Sequence, residues 1–341
     1  MPTRLIIMMN TRKKLLLLAT GGTIVSAQTP DGLAPSLDIT NLFSCLPGLA
    51  DAYDITAKSI LNLDSSNIQP EEWVIIARNI YEAYPDYDGI VVTHGTDTMA
   101  YTASILTFML PNIPIPVVLT GSQLPLSHPL TDAADNLRYA FAMSASTLPG
   151  IFIAFNRRII LGCRAVKVRT TGFDAFESVN CEDVGLINSE GLTINHKVLP
   201  PLSGKCRLLS NLCSEVFLIK LTPGLNPRIF DMLLDMNYKG IVIEAFGAGG
   251  IHFVHRDLIS KLQNLTENGI PVVVSSQCLY ERSDLSIYQT GKLALRQGVI
   301  PAYDMTTEAA VTKLIWALGQ TDSLDEIRRI FATSYAGEIR I

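Results

Sequence analysis

Short, unbroken apolar runs alternate with amphipathic helical stripes along most of this chain, and that rhythm leaves few folds open. Residues 15–19 (Leu-Leu-Leu-Leu-Ala) form one such run, as a strand buried on both faces requires. Trp73, Ile76, Ala77, Ile80 and Tyr81 fall on one helical stripe, and Pro70, Glu71 and Glu72 suit its start. Strands are expected at 89–93, 115–119 and 151–155, with helices at 99–110 and 132–145 between them. Strands alternating with helices imply right-handed crossovers and a parallel sheet.

After Arg157 the rhythm changes. Residues 159–169 alternate around Gly162 and read as a hairpin, and Pro200, Pro201, Ser203 and Gly204 mark a linker. The strand–helix rhythm resumes with strands at 215–221, 240–245 and 271–275. Helices are expected at 228–236, 256–266, 307–318 and 324–332, the last capped by Ser323. The expected fold class is α/β, with two α/β domains of mostly parallel sheet. A larger N-terminal domain with a β-hairpin spans 1–194, a linker 195–213, and a smaller C-terminal domain 214–341.

Composition narrows the function. The 341 residues are 48% hydrophobic and 17% charged, enough apolar material for a sizeable core. The net charge is −5, and no basic run exceeds Arg12-Lys13-Lys14, so no nucleic-acid partner is expected. No stretch nears the roughly 20 apolar residues of a membrane span. The apolar stretch 5–9 is too short for a signal-peptide core, so a cytoplasmic location is expected. The six cysteines are scattered without a Cys-x-x-Cys pair and read as reduced, mostly buried thiols. His252 and His255 lie close in sequence, but nothing completes a metal site, and neither metal nor cofactor is expected.

Ligands of open α/β sheets bind at the carboxyl ends of strands. After the first strand comes Thr20-Gly21-Gly22-Thr23, whose glycines let backbone approach a ligand, unless the turn merely packs. After a later strand comes His94-Gly95-Thr96-Asp97-Thr98, where Thr96 and Asp97 could equally be helix caps. A threonine hydroxyl needs an activating base. Lys167, in the apolar segment 159–168, is the best-placed candidate, although most strand lysines are simply exposed.

The segments 19–24 (ATGGTI), 88–103 (DGIVVTHGTDTMAYTA) and 120–125 (TGSQLP) resemble bacterial L-asparaginases of the cytoplasmic, type I branch. So do Lys167 with 172–176 (GFDAF), and Asp304-Met305-Thr306. The resemblance implies an amidohydrolase that turns L-asparagine and water into L-aspartate and ammonia. It implies Thr23 as nucleophile of an acyl-enzyme, with Thr96, Asp97 and Lys167 as further catalytic residues. Asp97 would pair with the substrate ammonium, and Ser65, beside Asp64 and Ser66, would bind its α-carboxylate. Ser65 and Ser66 could also cap the helix that follows. Gly22, Gly95 and Ser122 complete the implied substrate pocket. A homodimer or homotetramer is implied. A mixed asparaginase–glutaminase, an amidase subunit acting on aminoacyl-tRNA, and a silent amino-acid-binding protein are the rival readings.

The chain also departs from that pattern. Leu33 stands where many relatives carry a tyrosine on the loop 26–35, a candidate lid, so Tyr288, or failing that Tyr280, is expected to supply the phenol. Gly250 replaces an Asn lent by a neighbouring subunit. Gln277-Cys278 resembles an allosteric segment of some type I enzymes, but Val166 replaces a polar residue there, and Cys278 could simply be a buried thiol.

Overall fold

The structure is a computed structural model and describes residues 12–29, 32–35 and 46–340. Cys45 and the middle of the 26–35 loop lie outside the described residues.

The larger sheet has eight strands. Five run parallel: β1 (Lys14–Gly21), β4 (Asp54–Leu63), β5 (Gly89–Thr93), β6 (Pro116–Thr120) and β7 (Gly150–Phe155). Between β1 and β4 lie the paired short strands β2 (Ser26–Thr29) and β3 (Gly32–Pro35) and the one-turn helix α1 (Leu49–Ala52). β8 (Arg158–Leu161) returns antiparallel to β7. The spatial order is completed by β11 (Gly185–Asn188) and β12 (Gly191–Ile194) at one edge, with β4 at the other.

The continuous apolar runs have a direct cause. Leu16, Leu18, Ile90 and Val92 face one layer, with α2 (Pro70–Ala83) and α3 (Met99–Met109). Leu15, Leu17 and Val91 face the other, with α4 (Ala133–Ser144). Both faces are covered, so every position must be apolar.

The smaller sheet is parallel, β13 (Val216–Lys220), β14 (Gly240–Ala245), β15 (Val272–Ser276) and β16 (Ile300–Pro301). α5 (Arg228–Asp235), α6 (Ile259–Glu267) and α7 (Gln289–Arg296) cover one face; α8 (Thr307–Gln320) covers the other, and α9 (Leu324–Phe331) packs on α8. α8 also packs on α3: Ser104 Oγ lies 2.9 Å from Thr312 Oγ1, and Phe108 stacks on Trp316. One core thus runs through both sheets. This explains why α3 is apolar almost all round.

Three expectations need correction. The hairpin is not within 159–169. Its turn is Asn156-Arg157, both at positive φ, between β7 and β8. The Asn136 Oδ1 accepts the Asn156 N–H there, at 2.9 Å. Residues 162–164 form a 3-10 turn into β9 (Ala165–Lys167), which pairs with β10 (Phe176–Ser178) in a separate ribbon. The helix expected at 256 begins at Ile259, because the Asp257 carboxylate caps the Ile259 and Ser260 N–H groups. Of the five described cysteines only Cys163 is buried, and Cys278 is exposed.

Candidate active site

Three turns meet at the carboxyl ends of β4, β1 and β5. A register shift at the end of β1 leads into Gly21 and Gly22, with φ of 114° and 82°. Gly22 donates to Leu63 O at 3.0 Å, and Thr20 Oγ1 to Thr93 O at 2.8 Å. A Cβ on Gly22 would lie 2.5 Å from Gly95 N, and one on Gly95 would lie 2.6 Å from Ser65 Oγ. Only glycine allows this stacking. Gly22, Gly95 and Ser65 are therefore in direct register, with half-buried Thr23 opening the next 3-10 turn.

The capping alternatives fail. The residue at the N-cap of α3 is Thr98, and its hydroxyl donates instead to Ser65 O at 2.7 Å. Thr96 and Asp97 are engaged elsewhere: Lys167 Nζ donates to Thr96 Oγ1 at 2.8 Å and to Asp97 Oδ1 at 2.6 Å. The lysine side chain is 16% exposed and Asp97 is 64% exposed, so one end of this ion pair is dry and the other open. Neither do Ser65 and Ser66 cap α2. Gln69 stands at its N-cap, and Glu72 accepts the Gln69 N–H. Asp64 caps the 3-10 turn Ser65–Asn67, and the Ser66 hydroxyl and N–H hold its carboxyl below the usual carboxylate range. Ser65 itself is buried.

Ser122 is buried, and its hydroxyl donates to Leu124 O at 2.6 Å. Its neighbour Gln123 reaches the site, a residue the sequence reading passed over although it lies in the TGSQLP segment. Gln123 Nε2 donates to Thr170 O and Gly172 O at 3.2 and 3.1 Å. That fixes the amide, so Oε1 is the acceptor 3.4 Å from Thr96 Oγ1. Asp132 anchors the Gln123 backbone N–H with both oxygens.

Arg164 was missed as well. It is fully buried three residues before Lys167, donates to Gly337 O and Asp304 O at 2.7 and 2.9 Å, and lies 3.0 Å from Asp304 Oδ2. Asn180 Nδ2 joins at the same Asp304 carbonyl. The strand that carries Lys167 is thus bolted to the second sheet's loops and the C-terminal segment. This explains the place of Asp304 in the sequence pattern.

Tyr280 donates to Glu177 on β10, a carboxylate held low by that hydroxyl and by Arg169. Tyr288 is exposed at the start of α7. A cavity of about 140 Å³ lies against Val166, with Glu244, Glu308 and Cys278 on its walls. Gln277 also lines it, and its Nε2 donates to Leu221 O and Glu244 O. Among the described residues no group of three His, Cys, Asp or Glu could hold a metal ion, and no helix is long and apolar enough to cross a membrane.

The family model "Asparaginase, N-terminal" matches residues 14–200, and "Glutaminase/Asparaginase C-terminal domain" matches 215–331. The chain belongs to the asparaginase family. An L-asparaginase of Thermococcus kodakarensis is 46% identical over 96% of this chain and 99% of its own length. The solved structure of the thermostable L-asparaginase from that organism superposes with a TM-score of 0.91, over 96% of this chain and 99% of its own. L-asparaginase I from Vibrio cholerae gives a TM-score of 0.87 at 30% identity, over 97% of this chain and all of its own. A glutamyl-tRNA(Gln) amidotransferase component from Methanosphaera stadtmanae is 38% identical, over 96% of this chain and 77% of that protein. The mixed α/β architecture, with its larger N-terminal and smaller C-terminal domain, is the asparaginase fold.

Proposed function

We propose that this asparaginase-family enzyme is an L-asparaginase, hydrolysing L-asparagine to L-aspartate and ammonia. The observation that carries the reading is Lys167 bonded to both Thr96 and Asp97, on a turn that Gly22 and Gly95 press against the turn of Thr23. A binding protein has no need of an amine buried beside a hydroxyl.

Thr23 Oγ attacks the side-chain carboxamide carbon of asparagine. Backbone N–H groups at Thr96 and Thr23 take the developing oxyanion, the Gly22 N–H being held by Leu63 O. The proton released by the Thr23 hydroxyl passes to the leaving nitrogen, and collapse then expels ammonia and leaves an acyl ester on Thr23. Water, activated through Thr96 and Lys167, cleaves that ester and releases aspartate. Asp97 has one oxygen on Lys167; among the described residues the other has no hydrogen-bond partner, and on this exposed side chain it is left for the substrate ammonium. The Ser65 hydroxyl donates to the α-carboxylate, while Asp64 shapes the turn through Ser66. A zwitterion entering a site drier than water needs both partners. Gln123, rather than Ser122, supplies the side chain from the 120–125 segment.

The type I assignment, a cytoplasmic location, a homodimer or homotetramer, and a linker at 195–213 belong to the same reading. The five described cysteines are free thiols, which fits a reducing compartment. With Tyr280 engaged by Glu177, Tyr288 is the remaining candidate for the phenol beside Thr23, from this chain or a second copy. The 46% identity to an L-asparaginase, against 38% to an amidotransferase component, favours free asparagine over a tRNA-linked amide. Ammonia release from asparagine and from glutamine, each against a substrate-free blank, tests the reading directly. Binding of asparagine without release of ammonia overturns it.

A further inference from the structure

Behind the Thr96 turn lies a chain of buried hydrogen bonds that the reaction above does not use. Trp73 Nε1 is 3.0 Å from Thr102 Oγ1, Thr102 Oγ1 is 2.9 Å from His94 Nε2, and His94 Nδ1 is 2.7 Å from Gly95 O. His94 and Thr102 are fully enclosed, and Trp73 is 6% exposed.

Both ends of the chain fix its direction. An indole N–H can only donate, so the Thr102 oxygen accepts from Trp73 and turns its own proton elsewhere. A carbonyl can only accept, so Nδ1 of His94 carries a proton for Gly95 O. Burial lowers the imidazole pKa to about 4, which leaves one proton on the ring. The ring is therefore the Nδ1–H tautomer, and Thr102 donates to its bare Nε2.

The carbonyl so held belongs to the peptide that joins Gly95 to Thr96. In a trans peptide the C=O and N–H point in opposite directions, and the described residues contain no cis bond. Drawing the carbonyl inward onto His94 turns the Thr96 N–H to the opposite side. Among the described residues that N–H has no acceptor.

We propose that His94 is a positioning residue for the oxyanion hole: it holds the Gly95 carbonyl so that the Thr96 N–H is aimed at the substrate oxygen, and Thr102 and Trp73 lock the tautomer it needs. This rests on the reading of Thr23 and Thr96 given above. A donor aimed at charge that develops only in the transition state acts on kcat and leaves KM alone. Loss of one oxyanion donor typically costs about 10²–10³ in rate, and a misaimed one costs less.

The test compares His94→Leu, His94→Asn, Thr102→Val and Thr102→Ser with the intact enzyme. An asparagine amide can donate from near the place of Nδ1, and serine keeps the hydroxyl. His94→Leu and Thr102→Val should lose about ten- to hundredfold in kcat with KM changed less than twofold. His94→Asn and Thr102→Ser should recover most of that loss. Nitrogen-15 histidine spectra of the unaltered protein should show Nδ1 protonated and Nε2 bare at neutral pH, a readout that needs no variant to fold. Protonation at Nε2, or leucine and valine variants with unchanged kcat or a loss confined to KM, overturns the proposal. Thr96→Val and Lys167→Met run alongside: turnover retained in those would instead discard the site reading itself.

Discussion

Lys167 reaches Thr96 Oγ1 over 2.8 Å from a three-residue strand outside both main sheets. The same ammonium lies 2.6 Å from Asp97, so one cation serves two neighbours on the turn after β5. A lysine so placed has a different role in each partnership. On the function proposed above, it moves a proton with the alcohol and holds a charge with the acid.

Replacing Lys167 with Met, or Thr96 with Val, should lower kcat for asparagine by about 10²–10⁴, the usual contribution of a proton-handling group. Thr23→Ala should abolish acyl-enzyme formation while leaving circular dichroism unchanged. Mass spectrometry of the quenched reaction reads the missing adduct, and wild-type rates in Thr23→Ala would transfer the nucleophile to Thr96.

Asp97→Asn should raise KM by about tenfold or more, where each tenfold is about 1.4 kcal/mol of lost binding. Isothermal titration with aspartate checks it. An unchanged affinity with a collapsed kcat would mean that Asp97 serves Lys167 alone.

Arg164→Met should destabilise strongly, because it takes the cation from the mostly buried Asp304 carboxylate, leaving it the Arg340 N–H, and frees the Gly337 carbonyl. Breaking one side of such a pair costs about 3–5 kcal/mol. Thermal unfolding should shift down by several degrees, and residual activity at low temperature should fall as β9 loosens around Lys167. A thermally unaltered variant contradicts the bolt.

His94 also sets a pH dependence of stability. Its pKa is lowered from 6.5 to about 4 by burial, so the unfolded chain takes a proton that the folded chain refuses. Its contribution is present above pH 6.5 and is lost as pH falls toward 4, by about 3 kcal/mol in all. His94→Asn should therefore lose less stability than the unaltered protein between those pH values. Urea midpoints measured at both ends decide it, and parallel curves for the two proteins would refute the burial argument.

The sequence disclosed most where burial was total. β1, β5 and β6 read as strands because both faces are covered, and α3 and α8 read as helices because their length leaves no other choice. β4 was overlooked because an edge strand shows a half-exposed, irregular pattern. β9 and β10 have three residues each, too few to show any period. At the site, paired glycines and hydroxyls at strand ends pointed to the meeting of turns. Gln123 and Arg164 stayed hidden because most of their bonds go to the backbone carbonyls of Thr170, Gly172, Asp304 and Gly337, which carry no side-chain signature, and the one acid that Arg164 meets, Asp304, lies 140 residues away. His94 stood in view inside the 94–98 segment, but its partner Thr102 lies eight residues on, in the first turn of α3.

Gly22 on Gly95 on Ser65 leaves no room for even one added methyl group. If these turns floor the substrate site, as proposed above, that floor is closed to variation: a larger residue at either glycine would part the turns before it altered what binds. On the proposed function, adjustment between longer and shorter amide substrates falls to the rim, to exposed Asp97 and the 168–175 segment, rather than to the three turns beneath.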